Sequence, residues 1–385
     1  MNLKEFLQTK EDEMLSLLER LVNTDSGSTN KKGIDEVGRI LSTEYKKMGF
    51  TVEVVEEKEK GNNLLIKHQD AVEPEILIVA HMDTVFREGT AAKRPFTIKG
   101  DRAYGPGVID MKGSQVALLY ALKALIAENR GGFENVQIAL NGDEEIGSPT
   151  SRSLIEEQSV GKKYALIMEP ARKDGSLVSA RKGGGRYSIY VKGKAAHAGI
   201  EPQNGISAIE ELAHKILKLH ALTDHGAGIS VSAGLIEGGE SVNTIAPSAA
   251  AHVDIRISQM DQASMLDRQV REICATADVP GTSIVLEGGI NRPPMVKNEQ
   301  TIGLLDTIGK IGAELGIKIT DIATGGGSDA SFTSAKGVPT VDGLGPVGGN
   351  AHSENEYLEI PSFVKRTNLL AEVIGRLSAS DKTSL

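Results

Sequence analysis

The chain has 385 residues, 39% of them hydrophobic and 25% charged, the balance of an ordinary globular protein of about two domains. Acidic side chains outnumber basic ones 52 to 43, and the formal charge of −9 argues against nucleic acid or an anionic membrane as the main partner. A single cysteine, Cys274, excludes both a disulfide framework and a zinc site built from thiolates.

The N-terminal stretch MNLKEFLQTKEDEML is charged throughout and lacks the apolar centre of a signal peptide. No run approaches the ~18 apolar residues of a membrane span, so a soluble, cytoplasmic protein is expected. Helical periodicity covers 3–22, with Leu15, Leu18 and Val22 on one face, and 34–48. Strand-like runs follow at 51–55, 63–67 and 75–80, then a helix at 113–128, a strand at 136–140, a helix near 150–158 and a strand at 164–168. Apolar strands alternating with helices predict a mainly parallel sheet sandwiched by helices, an α/β fold. Near residue 180 the pattern changes to strand 186–194, helix 205–220, strands near 228–236 and 248–257, helix 261–277 and strand 282–287. That β-α-β-β-α-β order predicts a ferredoxin-like α+β domain. It would occupy 179–291, inserted into an α/β domain of 1–178 and 292–385, with helix–strand alternation resuming in the second part.

Polar residues cluster where the predicted parallel strands end. His81 follows strand 75–80, with Asp83 two residues on; Glu144 and Glu145 follow strand 136–140; Glu169 follows strand 164–168; His352 follows the apolar stretch 339–344. Asp110 sits in a glycine-bearing loop just before the helix at 113. Sites in open α/β sheets lie beyond the carboxyl ends of the strands, so these residues are expected to converge. Two histidines and three carboxylates without a thiolate suit Zn²⁺, Co²⁺ or Mn²⁺. Five ligands exceed the needs of one ion and point to a pair sharing one carboxylate, the arrangement of hydrolytic two-metal sites. Glu144, beside Glu145, is then the candidate general base, and Asp83 the partner that orients His81.

Three further features bear on substrate. In AHVDIRIS, Arg256 alternates with Val253, Ile255 and Ile257, so it points away from the buried face and offers a fork suited to a carboxylate. TGGGSDAS lacks the lysine of a phosphate loop; Gly326 and Gly327 would instead let backbone N–H groups approach a substrate carboxylate, with Ser328 and Asp329 capping the following helix. Neither a G-x-S-x-G elbow nor an H-E-x-x-H motif is present.

AHMDTV, YGPGVIDMKG, NGDEEIGS, MEP, KAAHAG, SVNTIAP and TGGGSDAS, in that order, resemble the dinuclear zinc peptidases and deacylases. That family includes glutamate carboxypeptidase (carboxypeptidase G), whose branch the motifs resemble most, acetylornithine deacetylase and succinyl-diaminopimelate desuccinylase. The resemblance implies that Asp110 bridges two zinc ions, that His81 and Glu169 complete one shell and that Glu145 and His352 complete the other. It implies a cis peptide after Asp110, Glu144 as base and acid, and His197 as oxyanion donor reaching a neighbouring subunit's site. Arg256, assisted by Asn243, would clamp the substrate carboxylate, and the inserted domain would form a homodimer. The expected activity is a metal-dependent exopeptidase releasing a C-terminal amino acid such as glutamate; the alternative is an N-acyl-amino-acid deacylase or di/tripeptidase with the same centre. Met111 departs from the carboxypeptidase pattern, which has a second acid after the bridging Asp.

Overall fold

A computed structural model describes residues 1–379 and divides them into two compact units. The first comprises Met1–Ala180, Lys297–Ala323 and the described residues from Ser328 on; the second comprises Arg181–Val296 and Thr324–Gly327.

The first unit is built on a six-stranded sheet in the order Phe50–Val55, Asn63–His68, Val136–Asn141, Ile76–His81, Tyr164–Ile167, Thr340–Val341. The last four strands are mutually parallel, and Asn63–His68 joins them antiparallel. Ile76–His81 is buried along its whole length, which is why it reads as a continuous apolar run rather than an alternation. Helix Gly113–Ala127 is almost wholly buried and packs against Glu11–Val22 and Ile360–Ala379. The periodicity at 3–22 resolves into two helices, Leu3–Thr9 with an Asn2/Glu5 capping box and Glu11–Val22, meeting at Lys10.

A second, smaller sheet escapes the sequence pattern. Thr97–Lys99, Arg102–Tyr104, Tyr357–Glu359 and Gly348–Gly349 pair antiparallel, in strands too short to show a period. This sheet brings the segment leading to Asp110 beside the chain that carries His352 and Glu356.

The second unit is a four-stranded antiparallel sheet, in the order Ser230–Gly238, Ser248–Ile257, Gly183–Lys192, Ser283–Arg292. Helices Ala208–His220 and Asp261–Ala275 supply Leu212, Leu266 and Val270 to a core with Ile189, Val253 and Ile255. Its order of strands and helices is that of a ferredoxin-like unit. The triple glycine at 183–185 has a packing reason: a Cβ at Gly184 would lie 2.1 Å from the Ile255 carbonyl oxygen.

Candidate metal centre

The parallel register places His81 opposite Asn141 at the carboxyl end of the sheet. Chain continuing past Val136–Asn141 enters a short turn carrying Glu144 and Glu145, and chain past Tyr164–Ile167 reaches Glu169. Asp110 lies in the turn Val108–Lys112 just before helix Gly113–Ala127, and its peptide bond to Met111 is cis, as the family resemblance implies. His352 adopts a left-handed backbone, φ 64°, between the two short strands Gly348–Gly349 and Tyr357–Glu359.

These side chains meet. His81 Nε2 is 3.2 Å from Asp110 Oδ1 and 3.7 Å from Glu169 Oε1. His352 Nε2 is 3.1 Å from both Asp110 Oδ2 and Glu145 Oε2. Two ligand triads result, His81–Asp110–Glu169 and Asp110–Glu145–His352, each with its donor atoms within 4.8 Å of one another and both using Asp110. Electrostatics follow from this crowding. Burial opposes protonation of His81, but hydrogen bonds to Asp110 and Asp83 outweigh it and push the imidazole well above its usual range. Bonds to Asp110 and Glu145 push His352 up to about 10. Burial, reinforced by the neighbouring Asp110 charge, drives Glu169 well above the carboxylate range. Burial would also raise Asp110, yet the two histidines hold it well below.

The residues fit a pair of divalent ions. Imidazole nitrogen and carboxylate oxygen are the donors such ions take, and Asp110 presents a different oxygen to each triad. Among the described residues Glu145 Oε1 is buried with no hydrogen-bond partner, an acceptor that a cation in this site would satisfy.

Asp83 is more than a support for His81. The nearest acceptor to His81 Nδ1 is the main-chain oxygen of Asp83 at 3.0 Å, with the carboxylate Oδ1 at 3.4 Å. The carboxylate itself accepts the backbone N–H groups of Glu144 and Glu145, at 3.1 and 3.2 Å, and the Ser28 hydroxyl at 2.6 Å. Glu356, buried, accepts the N–H groups of Gly107, Ile109 and Asp110 at 3.1, 2.9 and 3.1 Å, fixing the Asp110 turn. Asp143 takes the hydroxyl and N–H of Thr150 and the Ser151 hydroxyl. Sequence reasoning missed Ser28 and Glu356; for Glu356 the available signal was its place four residues past His352, and for Ser28 there was none.

One expectation changes. Asp329 makes no side-chain cap to helix Ala330–Ala335; it is buried, accepting from Asn141 Nδ2 at 2.8 Å and from the Ser148 hydroxyl. Ser328 does accept the N–H of Ala330, at 3.2 Å, and donates to Asp342 Oδ2 at 2.6 Å.

The other expected residues belong to the second unit. His197 and Asn243 are exposed neighbours, joined through the Ala198 N–H to Asn243 oxygen bond of 2.9 Å. His197 Nδ1 accepts the Gly199 N–H at 3.1 Å, which leaves Nε2 to carry the proton of a neutral ring. Arg256 does point away from the core, but its fork is engaged by Asp254, at 2.7 and 3.0 Å. Gly326 and Gly327 present carbonyl oxygens to Arg181 Nη1 at 3.1 and 3.4 Å.

Residues 77–376 match the model of peptidase family M20/M25/M40. The chain belongs to that family. It is 30% identical over 376 residues to carboxypeptidase G2 of Pseudomonas sp. (strain RS-16), covering 95% of this chain and 89% of the relative. It is also 30% identical over 262 residues to acetylornithine deacetylase of Vibrio campbellii (strain ATCC BAA-1116), covering 63% of this chain and 67% of the relative. Among solved structures, aminopeptidase PepT of Bacillus cereus ATCC 10987 superposes with a TM-score of 0.78 at 20% identity, over 95% of this chain and 98% of that one. This M20 chain is thus an α/β metallohydrolase of the family, with a separate antiparallel-sheet domain. No helix among the described residues is long and apolar enough to cross a membrane.

Proposed function

We propose that this M20 hydrolase is a two-metal exopeptidase of the carboxypeptidase G type, cleaving an amide to release a C-terminal amino acid, glutamate or a close analogue. The observation that carries the reading is the likeness to carboxypeptidase G2 across 95% of the chain, joined to two triads sharing Asp110. His81, Asp110 and Glu169 would hold one ion and Asp110, Glu145 and His352 the other, with zinc the ion proposed. When bound, such ions supply Lewis acidity, acidifying water and polarising a carbonyl oxygen.

The protein's own residues do the rest. Glu144, whose backbone N–H is pinned by Asp83, acts as general base toward the attacking water and returns the proton to the leaving nitrogen. His197, with its proton on Nε2, donates to the developing oxyanion, supplied across a homodimer formed by the second unit. Arg256 with Asn243, and the backbone at Gly326 and Gly327, receive the substrate carboxylate; Arg256 does so by exchanging Asp254 for the substrate.

A second reading, an N-acyl-amino-acid deacylase or small peptidase with the same centre, is favoured by the acetylornithine deacetylase likeness. Hydrolysis of a panel of N-acyl and peptidyl amino acids by zinc-loaded protein decides between them, with chelated protein and Glu144→Gln as controls. Release of C-terminal glutamate, lost in both controls, supports the carboxypeptidase. Preference for acetyl or succinyl donors supports the deacylase, and turnover that survives chelation contradicts both.

A further inference from the structure

We propose that Ser28 is a positioning residue of the centre, acting through Asp83; the inference rests on the two-metal reading above. Ser28 lies outside residues 77–376, the span matched by the family model. Its hydroxyl, in a residue only 6% exposed, donates to Asp83 Oδ2 at 2.6 Å.

The surrounding chain is built to hold it there. Segment 24–30 runs beside the end of the central strand: the Thr84 N–H bonds the Ser26 oxygen at 2.9 Å and the Ser28 N–H bonds the Thr84 oxygen at 3.1 Å. Gly27 permits this approach, since a Cβ there would lie 2.1 Å from the Phe86 carbonyl oxygen. On one side the buried Lys112 ammonium donates to the Thr24 oxygen at 2.8 Å. On the other, Asp25 accepts the N–H groups of Gly89 and Ala91 at 2.7 and 2.8 Å. The Asn30 amide bonds the Asp25 oxygen at 3.0 Å and closes the segment on itself. With its backbone held this firmly, the Ser28 hydroxyl has the Asp83 carboxylate as its near acceptor, at 2.6 Å, and the Thr84 oxygen as a farther one, at 3.4 Å.

What it fixes is the torsion of Asp83. Oδ2 is shared between Ser28 and the Glu145 N–H, which turns Oδ1 toward the Glu144 N–H and His81 Nδ1. One carboxylate thereby holds the backbone of a ligand carboxylate and of the general base, and lies 3.4 Å from the imidazole that the Asp83 main-chain oxygen orients. Removing the Ser28 donor loosens the turn that carries Glu144 and Glu145, and with it the charge facing His81, without touching substrate.

The test compares Ser28→Ala and Ser28→Thr with wild type, on protein stripped by chelation and reloaded with Zn²⁺ or Co²⁺. For Ser28→Ala we expect kcat to fall about tenfold with KM within about twofold, and affinity for the ions to fall about tenfold. The visible absorption of the Co²⁺ protein should change, and Ser28→Thr should restore all three readouts. Ser28→Ala with kcat, ion affinity and Co²⁺ spectrum unchanged, while Glu144→Gln is inactive, overturns the proposal and leaves the two-metal reading standing. An equal loss in the Thr variant also overturns it, because the hydroxyl would then not be the operative group. A wild-type chain that takes up no ion removes the two-metal reading, and this proposal with it.

Discussion

Glu356 holds Asp110 by its backbone, across 246 positions of sequence: the Glu356 carboxylate Oε1 accepts the Asp110 N–H at 3.1 Å. The same carboxylate takes the Ile109 and Gly107 N–H groups, so three donors in the turn before the proposed bridging residue depend on one buried acid. Glu356→Gln can keep the two bonds at one oxygen but turns an amide N–H₂ toward the Gly107 N–H. We expect a loss of ~1–3 kcal/mol in stability, the cost of an unsatisfied buried donor. Thermal unfolding should show a fall of about 2–4 °C per kcal/mol. An unchanged midpoint would mean that the turn does not rely on this carboxylate.

His352 is a member of the second triad alone, facing the shared Asp110 through Oδ2 and Glu145 through Oε2. His352→Ala should therefore retain one tightly bound ion per chain while losing the other and most activity. Metal analysis after gel filtration reads this directly. Loss of both ions, or of neither, contradicts the assignment of His352 to a single shell.

Much of this site was legible because its ligands follow buried strands. An unbroken apolar run such as 76–81 announces a doubly covered strand, and polar residues just past three such runs converge by topology. Glu356 and Ser28 were missed for a physical reason. Their contacts depend on strands of two or three residues and on an isolated bridge between Gly27 and Thr84, none long enough to leave a period. Asp329 misled because a Ser-Asp pair before a helix looks like a cap, whereas its carboxylate is used by Asn141 and Ser148. The orientation of Arg256 was readable from alternation, but its bidentate partner two residues away was only one of the acids open to it.

The second unit carries a buried ion cluster that predicts its pH response. Lys215 and Glu211, both with fully buried side chains, lie 2.8 Å apart, and Lys215 also meets Asp278 at 2.6 Å. Burial opposes the charged forms, but the mutual bonds hold Glu211 below the usual carboxylate range and Lys215 above the usual amine. Bonds from Lys215 and Lys218 bring Asp278 down to about 2. The stabilisation is present above the unfolded carboxyl values of ~4 and fades as pH falls through the depressed folded values. At the other limit it is present below the unfolded lysine value of ~10.4 and fades as pH rises through the raised one. Lys215→Met removes the cation beside the buried Glu211, leaving it the Val279 N–H and the Thr282 hydroxyl, and should cost ~3–5 kcal/mol near neutrality. Chemical denaturation at pH 7 and pH 2.5 should show the difference from wild type narrowing in acid. A constant difference would assign the effect to packing alone.

Ion binding to the first unit should stabilise the folded chain. At about a hundredfold excess over its dissociation constant, one ion contributes ~2.7 kcal/mol, or about 5–11 °C in a unit of this size. Scanning calorimetry before and after chelation measures it. Identical transitions in the two states would mean that the triads do not hold metal in the folded protein.

The central claim is that hydrolysis needs both triads filled around Asp110. The most direct measurement titrates Zn²⁺ into chelated protein while following release of glutamate from an N-acylglutamate. The account predicts little activity until ions occupy both triads, with full activity at two equivalents per chain. Full activity at one equivalent, or activity with none, would contradict it.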